Sequence, residues 1–329
     1  MVHLGYMLSS EEHSAQDLVA LAARAERAGF EYAMISDHYH PWIDEQGQSP
    51  FVWSVLGGIA RETGTLRVGT AVTCPIIRYH PAIIAQAAAT VAQLMPGRFM
   101  LGVGTGEAIN EHIMGERFPA LEIRTAMLEE AIGIIRSLWS GRMIRHYGKY
   151  FTVENARVYS RPQQPPPVLV AAGGKHAAEL AGRIGDGLIN FEPSPEIVRT
   201  FSAAGGEGKP RYVQYKVCWA ADEAQARRTA RAVFPTAALR GEVTTLLPNP
   251  VHMEQATATI TEEQVAQVIV CGPDPQRHIQ GIRACEEAGF DHVHIHQTGP
   301  DQEGFFRFYE KEILPQFRSA GARAAAAGG

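Results

Sequence analysis

Acid–base and aromatic groups lie close together in the segment Ser36-Asp37-His38-Tyr39-His40-Pro41-Trp42. The segment follows the apolar run Tyr32-Ala33-Met34-Ile35, which is typical of a buried strand. Histidine can move protons near neutral pH, and the indole of Trp42 offers an apolar wall with one N–H donor. We therefore interpret His38 as a candidate proton carrier. The alternative is a solvated loop that holds polar residues by chance.

A glycine-rich segment, Gly102-Val103-Gly104-Thr105-Gly106-Glu107, ends the apolar run at residues 98–103. Alternating glycines let a backbone approach a flat ligand or a phosphate closely. The carboxyl group of Glu107 is a candidate general acid, and a helix cap is the alternative. The spacing is close to a dinucleotide fingerprint, but Glu107 stands where that fingerprint requires a glycine.

Two other strand ends suggest cofactor surfaces. The small side chains of Gly69-Thr70-Ala71-Val72-Thr73-Cys74 could form a floor beneath an aromatic ring, or simply continue a strand. The run Val170-Ala171-Ala172-Gly173-Gly174-Lys175 leads from a strand into a helix. Free N–H groups at a helix start attract anions, so we interpret this turn as a candidate phosphate cradle. Gly-Gly turns without a ligand are the alternative.

Strands and helices alternate along the whole chain, which predicts a parallel sheet with helical crossovers. Eight such units predict an α/β fold, a (β/α)8 barrel, in which the carboxyl ends of the strands meet at one face. We expect one domain over residues 1–319, insertions near 143–159 and 236–260, and a flexible tail at 320–329. The predicted strands are at residues 2–7, 32–35, 66–72, 98–103, 168–171, 187–190, 212–219 and 292–296.

The composition is that of a soluble globular protein. The chain has 329 residues, a net charge of −5 and no long run of like charge, so neither nucleic acid nor a membrane is an expected partner. Four widely spaced cysteines and the lack of a signal-like N-terminus favour a reduced, cytoplasmic protein. The alternating His292, His294 and His296 lack the acid or cysteine spacing of a zinc site, so no metal is predicted.

Taken together, these segments resemble the luciferase-like flavin and deazaflavin oxidoreductases, and most of all the F420-dependent glucose-6-phosphate dehydrogenases. The resemblance runs from Leu4 to about Arg318. The matching motifs are Ser36-Asp37-His38 through Pro41-Trp42, Gly104-Thr105-Gly106-Glu107-Ala108 with Asn110-Glu111, Ala171-Ala172-Gly173-Gly174, and Ala181-Gly182-Arg183 with Gly185-Asp186-Gly187. It implies a barrel that binds coenzyme F420, a non-prolyl cis peptide at Ala71–Val72, and a homodimer.

The resemblance also implies roles for matched residues. His38 would accept the hydroxyl proton of the substrate, Glu107 would protonate or stabilise the reduced ring, and Trp42 would pack against the reacting centre. The residues expected to hold the coenzyme are Asp37, Ala71, Val72, Cys74, Thr105, Gly106 and Asn110 at the ring, and Ala172, Gly173 and Gly174 at its phosphate. Hydride transfer requires such positioning in a dry pocket.

The sequence departs from the sugar-phosphate pattern where that subgroup has lysines. Residues 190–194 read Asn-Phe-Glu-Pro-Ser, and residues 253–255 read Met-Glu-Gln. A phosphate dianion without cationic partners binds poorly, so we expect an uncharged sugar or another alcohol as substrate. The alternatives are a glucose-6-phosphate dehydrogenase proper, an F420H2-dependent reductase, an FMN-dependent monooxygenase and a non-catalytic coenzyme-binding protein.

Overall fold

The computed structural model describes residues 2–317, and its centre is a closed barrel of eight parallel strands. The barrel order is β9-β11-β1-β2-β3-β4-β7-β8, and β8 closes the ring by pairing with β9. This confirms the predicted (β/α)8 fold. In chain order the strands are β1 (His3–Leu8), β2 (Tyr32–Ile35), β3 (Arg67–Thr70), β4 (Phe99–Val103), β5 (Ile144–Tyr147), β6 (Thr152–Ala156), β7 (Val168–Ala171), β8 (Gly187–Asn190), β9 (Arg211–Cys218), β10 (Val270–Cys271) and β11 (His292–Gln297).

Helices surround the barrel, and sequence-local chemistry sets many of their ends. Proline occupies the first turn of the helices at Pro81 and Pro195, where its missing N–H costs nothing. Gly29 ends the first helix in the left-handed conformation. The helices are α1 (Ala15–Ala28), α2 (Val52–Glu62), α3 (Pro81–Leu94), α4 (Ala108–Glu111), α5 (Leu121–Trp139), α6 (Lys175–Ile184), α7 (Pro195–Phe201), α8 (Glu223–Val233), α9 (Val243–Leu246), α10 (Pro250–Thr257), α11 (Glu262–Ala266), α12 (Pro275–Glu287), α13 (Gln302–Phe308) and α14 (Leu314–Phe317).

Side chains of each barrel strand alternate between the interior and the layer that meets the helices. On β9, Val213 and Val217 belong to the outer core, whereas Tyr212 belongs to a separate cluster inside the barrel. The interior cluster plugs the barrel, so its upper surface becomes an apolar floor for the mouth. Its members are Met7, Tyr32, Met34, Ala71, Met100, Leu169, Ile189 and Tyr212, with Val72 and Phe191 packed on it.

The segments outside the alternation also have defined structure. Strands β5 and β6 form an antiparallel hairpin within the insertion expected near residues 143–159. The expected insertion near 236–260 holds α9 and α10, and α11 with the short strand β10 follows it. Neither β10 nor the C-terminal helices α13 and α14 were predicted. The predicted tail at 320–329 lies outside the described residues.

Strand β3 is shorter than predicted, because it ends at Thr70 instead of residue 72. The peptide bond between Ala71 and Val72, just beyond the end of β3, is cis, as the resemblance implies. The chain then rejoins the sheet at Thr73, which bridges to Val103 of β4. Within residues 2–317, the helices are all too short or too polar to cross a bilayer.

Candidate active site

His38 lies in the loop at the carboxyl end of β2, inside the barrel mouth. Its Nδ1 atom lies 3.1 Å from the backbone oxygen of His40, which fixes the ring within its own loop. The indole of Trp42 meets the imidazole edge-to-face, with ring centroids 4.8 Å apart. The predicted base and its aromatic wall are therefore in contact, and the loop presents them as one unit.

Glu11 faces His38 from the end of β1, with its Oε1 atom 3.3 Å from His38 Nε2. The other carboxylate oxygen accepts hydrogen bonds from the hydroxyls of Ser9 and Ser36. Glu11 is only 4% exposed, and these donors hold its carboxylate in place. The sequence analysis missed Glu11. The polar run at residues 9–13, directly after the first strand, was the signal that could have found it.

Asn110 joins the His38 loop to the Glu107 segment. Its Oδ1 atom accepts hydrogen bonds from the backbone N–H groups of Tyr39 and His40, at 2.9 and 3.4 Å. Its Nδ2 group donates to Glu107 Oε2 at 3.3 Å. Glu107 is the residue immediately before α4, so it also occupies the N-cap position that was the alternative interpretation of this residue. The loop after β2 and the segment after β4 are thereby tied to each other at the carboxyl end of the barrel.

Asp37 is buried below the mouth, and its carboxylate is already occupied. Its Oδ1 atom accepts hydrogen bonds from Arg78 and Tyr79, and its Oδ2 atom accepts one from Thr73. These contacts anchor the segment after the cis peptide to the end of β2. The structure thus gives Asp37 an anchoring position, in which side chains of three residues donate hydrogen bonds to its carboxylate.

Cys74, Gly106 and Glu111 pack together behind the cofactor side of the mouth. A side chain on Gly106 would lie 2.6 Å from the Cys74 sulfur, and Gly106 has a positive φ of 75°. Burial raises the pKa of the Cys74 thiol well above its usual value. Burial likewise raises the pKa of Glu111 to about 7, and the nearby Glu107 adds to the rise. Glu111 is a titratable group for which the sequence analysis gave no role.

The floor of the mouth fits a flat ring system. Ala71 and Val72 cap the interior cluster with small apolar groups. A side chain at Gly104 would come within 2.7 Å of the Val72 methyl, so glycine is what keeps this surface level and open. Thr105 is half-buried beside it. An apolar, glycine-lined surface of this kind suits the face of a deazaflavin.

The predicted phosphate cradle lies at the start of α6. Gly173 and Gly174 are exposed, and a side chain built on either would meet no atom within 4 Å. Gly174 is the residue before the ten-residue helix, where N–H groups are free to bind an anion. Ala172 differs, because its methyl group is fully buried in the outer core. Ala172 can therefore contribute only backbone atoms to this site.

A second row of polar side chains rises from β1, β9 and β11. Glu12 Oε2 lies 2.8 Å from His296 Nε2, and the amide of Gln214 lies 3.3 Å from His296 Nδ1. Burial opposes ionisation of Glu12, but the hydrogen bond and charge of His296, the charge of His13 and the hydrogen bond from the Gly299 N–H together outweigh it and lower the pKa of the carboxyl. Lys216 pairs in register with His296 on the neighbouring strand. These contacts were not predicted. The sequence indicated only that histidines alternate along the last strand.

The strand order divides the mouth into two halves. The candidate ring and phosphate residues belong to β3, β4 and β7, which are consecutive in the barrel. The polar row belongs to β9, β11 and β1, also consecutive, and β2 with His38 stands at the boundary. Within the described residues, no group of three or more histidine, cysteine or acidic side chains is arranged to hold a metal ion.

Comparison with known protein families and curated proteins gives consistent results. The model of the luciferase-like monooxygenase family matches residues 1–292. A protein of Beutenbergia cavernae described as F420-dependent glucose-6-phosphate dehydrogenase is 36% identical over 331 residues, which cover 97% of this chain and 98% of that protein. A protein of Microbacterium testaceum with the same description is 35% identical, over 96% of this chain and 98% of its own length.

Solved structures with this fold include proteins of two F420-dependent activities. An F420-dependent secondary alcohol dehydrogenase in complex with an F420–acetone adduct is 28% identical, with a TM-score of 0.90 over 97% of this chain and 99% of that chain. A coenzyme F420-dependent tetrahydromethanopterin reductase from Methanopyrus kandleri is 22% identical, with a TM-score of 0.79 over 96% of this chain and 99% of that chain. At that identity the second likeness concerns the fold alone.

Proposed function

Because the chain belongs to the luciferase-like monooxygenase family, we propose that it is an F420-dependent dehydrogenase that oxidises a non-phosphorylated sugar or another alcohol. The observation that carries this proposal is the Asn110 bridge, which links the backbone of the loop that follows His38 to the Glu107 carboxyl group. The curated relatives and the solved alcohol dehydrogenase, each described as F420-dependent, support the choice of coenzyme. A homodimer and a cytoplasmic location are part of the proposal and rest on the resemblance.

In the proposed complex, the coenzyme supplies a ring that accepts hydride from the carbon bearing the hydroxyl group. Ala71, Val72, Thr105 and Gly106 would lie against this ring, and the N–H groups after Gly173 and Gly174 would bind its phosphate. Cys74 would contribute indirectly, by packing against Gly106 on the side away from the ring. Asp37 would act indirectly, by anchoring the segment that follows the cis peptide.

Proton transfer is assigned to the His38–Glu11 pair. With Nδ1 bonded to a backbone carbonyl, Nε2 is the nitrogen that can take up a proton. The substrate hydroxyl would replace the direct contact between Nε2 and Glu11 and release its proton to Nε2, and the adjacent Glu11 carboxylate would stabilise the imidazolium that forms. On the coenzyme side, the Glu107 carboxyl would supply or hold a proton beside the ring. Trp42 would exclude water from the reacting carbon.

The preference for an uncharged donor rests on the residues at the two positions where the sugar-phosphate subgroup has lysines. At the end of β8 the rim carries Glu192, which is exposed and lies 3.9 Å from Arg240. Position 255, where the sugar-phosphate subgroup has a lysine, is an exposed glutamine. These two positions therefore lack the lysines with which the sugar-phosphate subgroup would hold a phosphate dianion. Equal activity on glucose and glucose 6-phosphate would overturn this part of the proposal.

The test is a panel of sugars, sugar phosphates and simple alcohols, with F420 consumption followed by its loss of absorbance. We expect turnover of at least one neutral alcohol, and quenching of F420 fluorescence on binding. The His38→Ala variant should retain that quenching, while its turnover falls by about 10²- to 10⁴-fold, the usual contribution of a general base. A tightly bound flavin after purification, or no F420 binding, would contradict the assignment.

A further inference from the structure

The side-chain ammonium group of Lys216 forms no hydrogen bond or ion pair within the described part of the chain. It lies on β9, where the inward positions alternate through Tyr212 and Gln214. Lys216 pairs in register with His296, so it lies level with His296 in the polar row of β1, β9 and β11. Among residues 2–317, no side chain or backbone oxygen is placed to form a hydrogen bond or ion pair with it. Its Nζ atom lies over the Phe234 ring, 5.9 Å from the ring centroid.

An unpaired cation at this depth has a cost. Burial lowers the pKa of Lys216 to about 8, and Glu192 at the rim only partly offsets the effect. The Lys216 side chain is half-buried and so partly removed from water, and no acceptor among the described residues replaces that hydration. An acceptor from outside the chain would do so. Two other lysines have acceptors within the chain: Lys209 donates to Gly182, and Lys311 lies 3.1 Å from Glu312.

The aromatic side chains connect this ammonium with the candidate base. Phe234 lies between Lys216 and His296, with its ring centroid 5.2 Å from that of His296. Trp42 packs against the same apolar cluster that contains Phe234, and Trp42 also contacts His38. Lys216 and His38 are thus placed around one apolar wall. A substrate on this wall would meet the base at one end and the ammonium at the other.

We propose that Lys216 donates a hydrogen bond to a second oxygen of the substrate, remote from the carbon that is oxidised, and so selects polyhydroxylated donors over simple alcohols. The inference deepens the proposed function and depends on it. It names the substrate class as alcohols that carry at least one further hydroxyl group. Lys216 would act in recognition, whereas the proton transfer belongs to His38.

The test compares Lys216→Met with the wild type on two six-membered-ring donors, D-glucose with several hydroxyl groups and cyclohexanol with one. The loss of a hydrogen bond from a charged group should raise KM for D-glucose by about tenfold or more. We expect kcat/KM for cyclohexanol, and the affinity for F420 measured by fluorescence quenching, to stay within a factor of about three. Lys216→Arg should restore part of the D-glucose affinity, and Lys311→Met is the matched control for loss of a surface charge.

Equal losses on both donors, or an unchanged KM for D-glucose, would overturn the role of Lys216. A second measurement is independent of turnover. The chain has five lysines, so ¹³C-methylation gives a simple spectrum in which the Lys216 signal is identified by its absence from Lys216→Arg. We expect D-glucose to change the chemical shift of this signal and cyclohexanol to leave it unchanged. A chemical shift that changes with neither donor would contradict the inference. If the wild type oxidises no alcohol with F420 but the signal responds to D-glucose, the proposed reaction fails and the recognition site stands.

Discussion

The Nε2 atom of His38 lies 3.3 Å from the Oε1 atom of Glu11, and the exposed fractions of the two side chains are 9% and 5%. The contact joins the ends of two neighbouring strands, β1 and β2, whose last residues, Leu8 and Ile35, pair in register. Both groups are largely shielded from water, so their electrostatic interaction is stronger than it would be in water. The proposed proton transfer therefore involves the pair, and not His38 alone.

Glu11→Gln should lower kcat by about 10- to 100-fold, the size expected when one hydrogen bond to a charged group is lost. The amide keeps the shape of the carboxylate but cannot neutralise an imidazolium, so F420 binding should persist. The measurement is steady-state kinetics alongside F420 fluorescence quenching. The exposed Glu45→Gln, in the loop after Trp42, is the control. Wild-type kcat in Glu11→Gln would show that His38 works without this partner.

Asn110→Leu should disrupt both sides of the mouth at once. It removes the acceptor of the Tyr39 and His40 N–H groups and the donor to Glu107. With these partly buried hydrogen bonds lost, the free energy of unfolding should fall by about 1 kcal/mol, and F420 affinity should fall with it. Asn110→Asp keeps the acceptor and loses the donor, so it should preserve most of the stability. Similar stabilities for the two variants would contradict the bridge; urea denaturation measures the difference.

The overall fold and the location of the site were accessible from the sequence for a physical reason. A regular alternation of strands and helices permits few topologies, and a barrel brings the carboxyl ends of all its strands to one face. His38, Glu107 and Gly173 each follow an apolar strand, so their convergence depended only on recognising those strands. The cis peptide at Ala71–Val72 came instead from the resemblance, since local propensity does not encode it.

The missed residues depend on details that a sequence pattern does not specify. Glu11 meets His38 only because of the register between β1 and β2. Lys216 faces the mouth because it shares the inward alternation of Gln214, and in an apolar strand pattern either face can be the buried one. The methyl group of Ala172, one residue beyond the end of β7, likewise points into the outer core, which the sequence pattern did not specify. Strand ends were predictable, and side-chain orientation at those ends was not.

The protonation of Glu111 should make stability depend on pH. Burial raises the pKa of its carboxyl to about 7, whereas an ordinary glutamate has a value of 4.5. Between these values the native state binds more protons than the unfolded state, so the free energy of unfolding falls as the pH rises. The full effect is on the order of 3 kcal/mol, and it is complete above the native pKa.

Glu111→Gln should remove this component, because the amide does not titrate. Between pH 5 and pH 8 the free energy of unfolding of the wild type should fall more steeply than that of the variant, as measured by urea denaturation at each pH. The exposed Glu122→Gln should keep the wild-type slope. Parallel pH profiles for the wild type and Glu111→Gln would mean that Glu111 is ionised throughout this range.

Gly104→Ala tests the floor on which the proposed ring would lie. The added methyl group would come within 2.7 Å of Val72 Cγ2 and 3.5 Å of Ala171 Cβ, so it must displace the floor or project above it. We expect F420 affinity to fall by about tenfold or more, since a tightly packed contact surface tolerates little added volume. Gly133→Ala, in the middle of α5, is the matched control, because its methyl group would meet no atom within 4 Å and should stabilise the helix. Fluorescence quenching with F420 measures both variants; unchanged affinity in Gly104→Ala would place the ring elsewhere in the mouth.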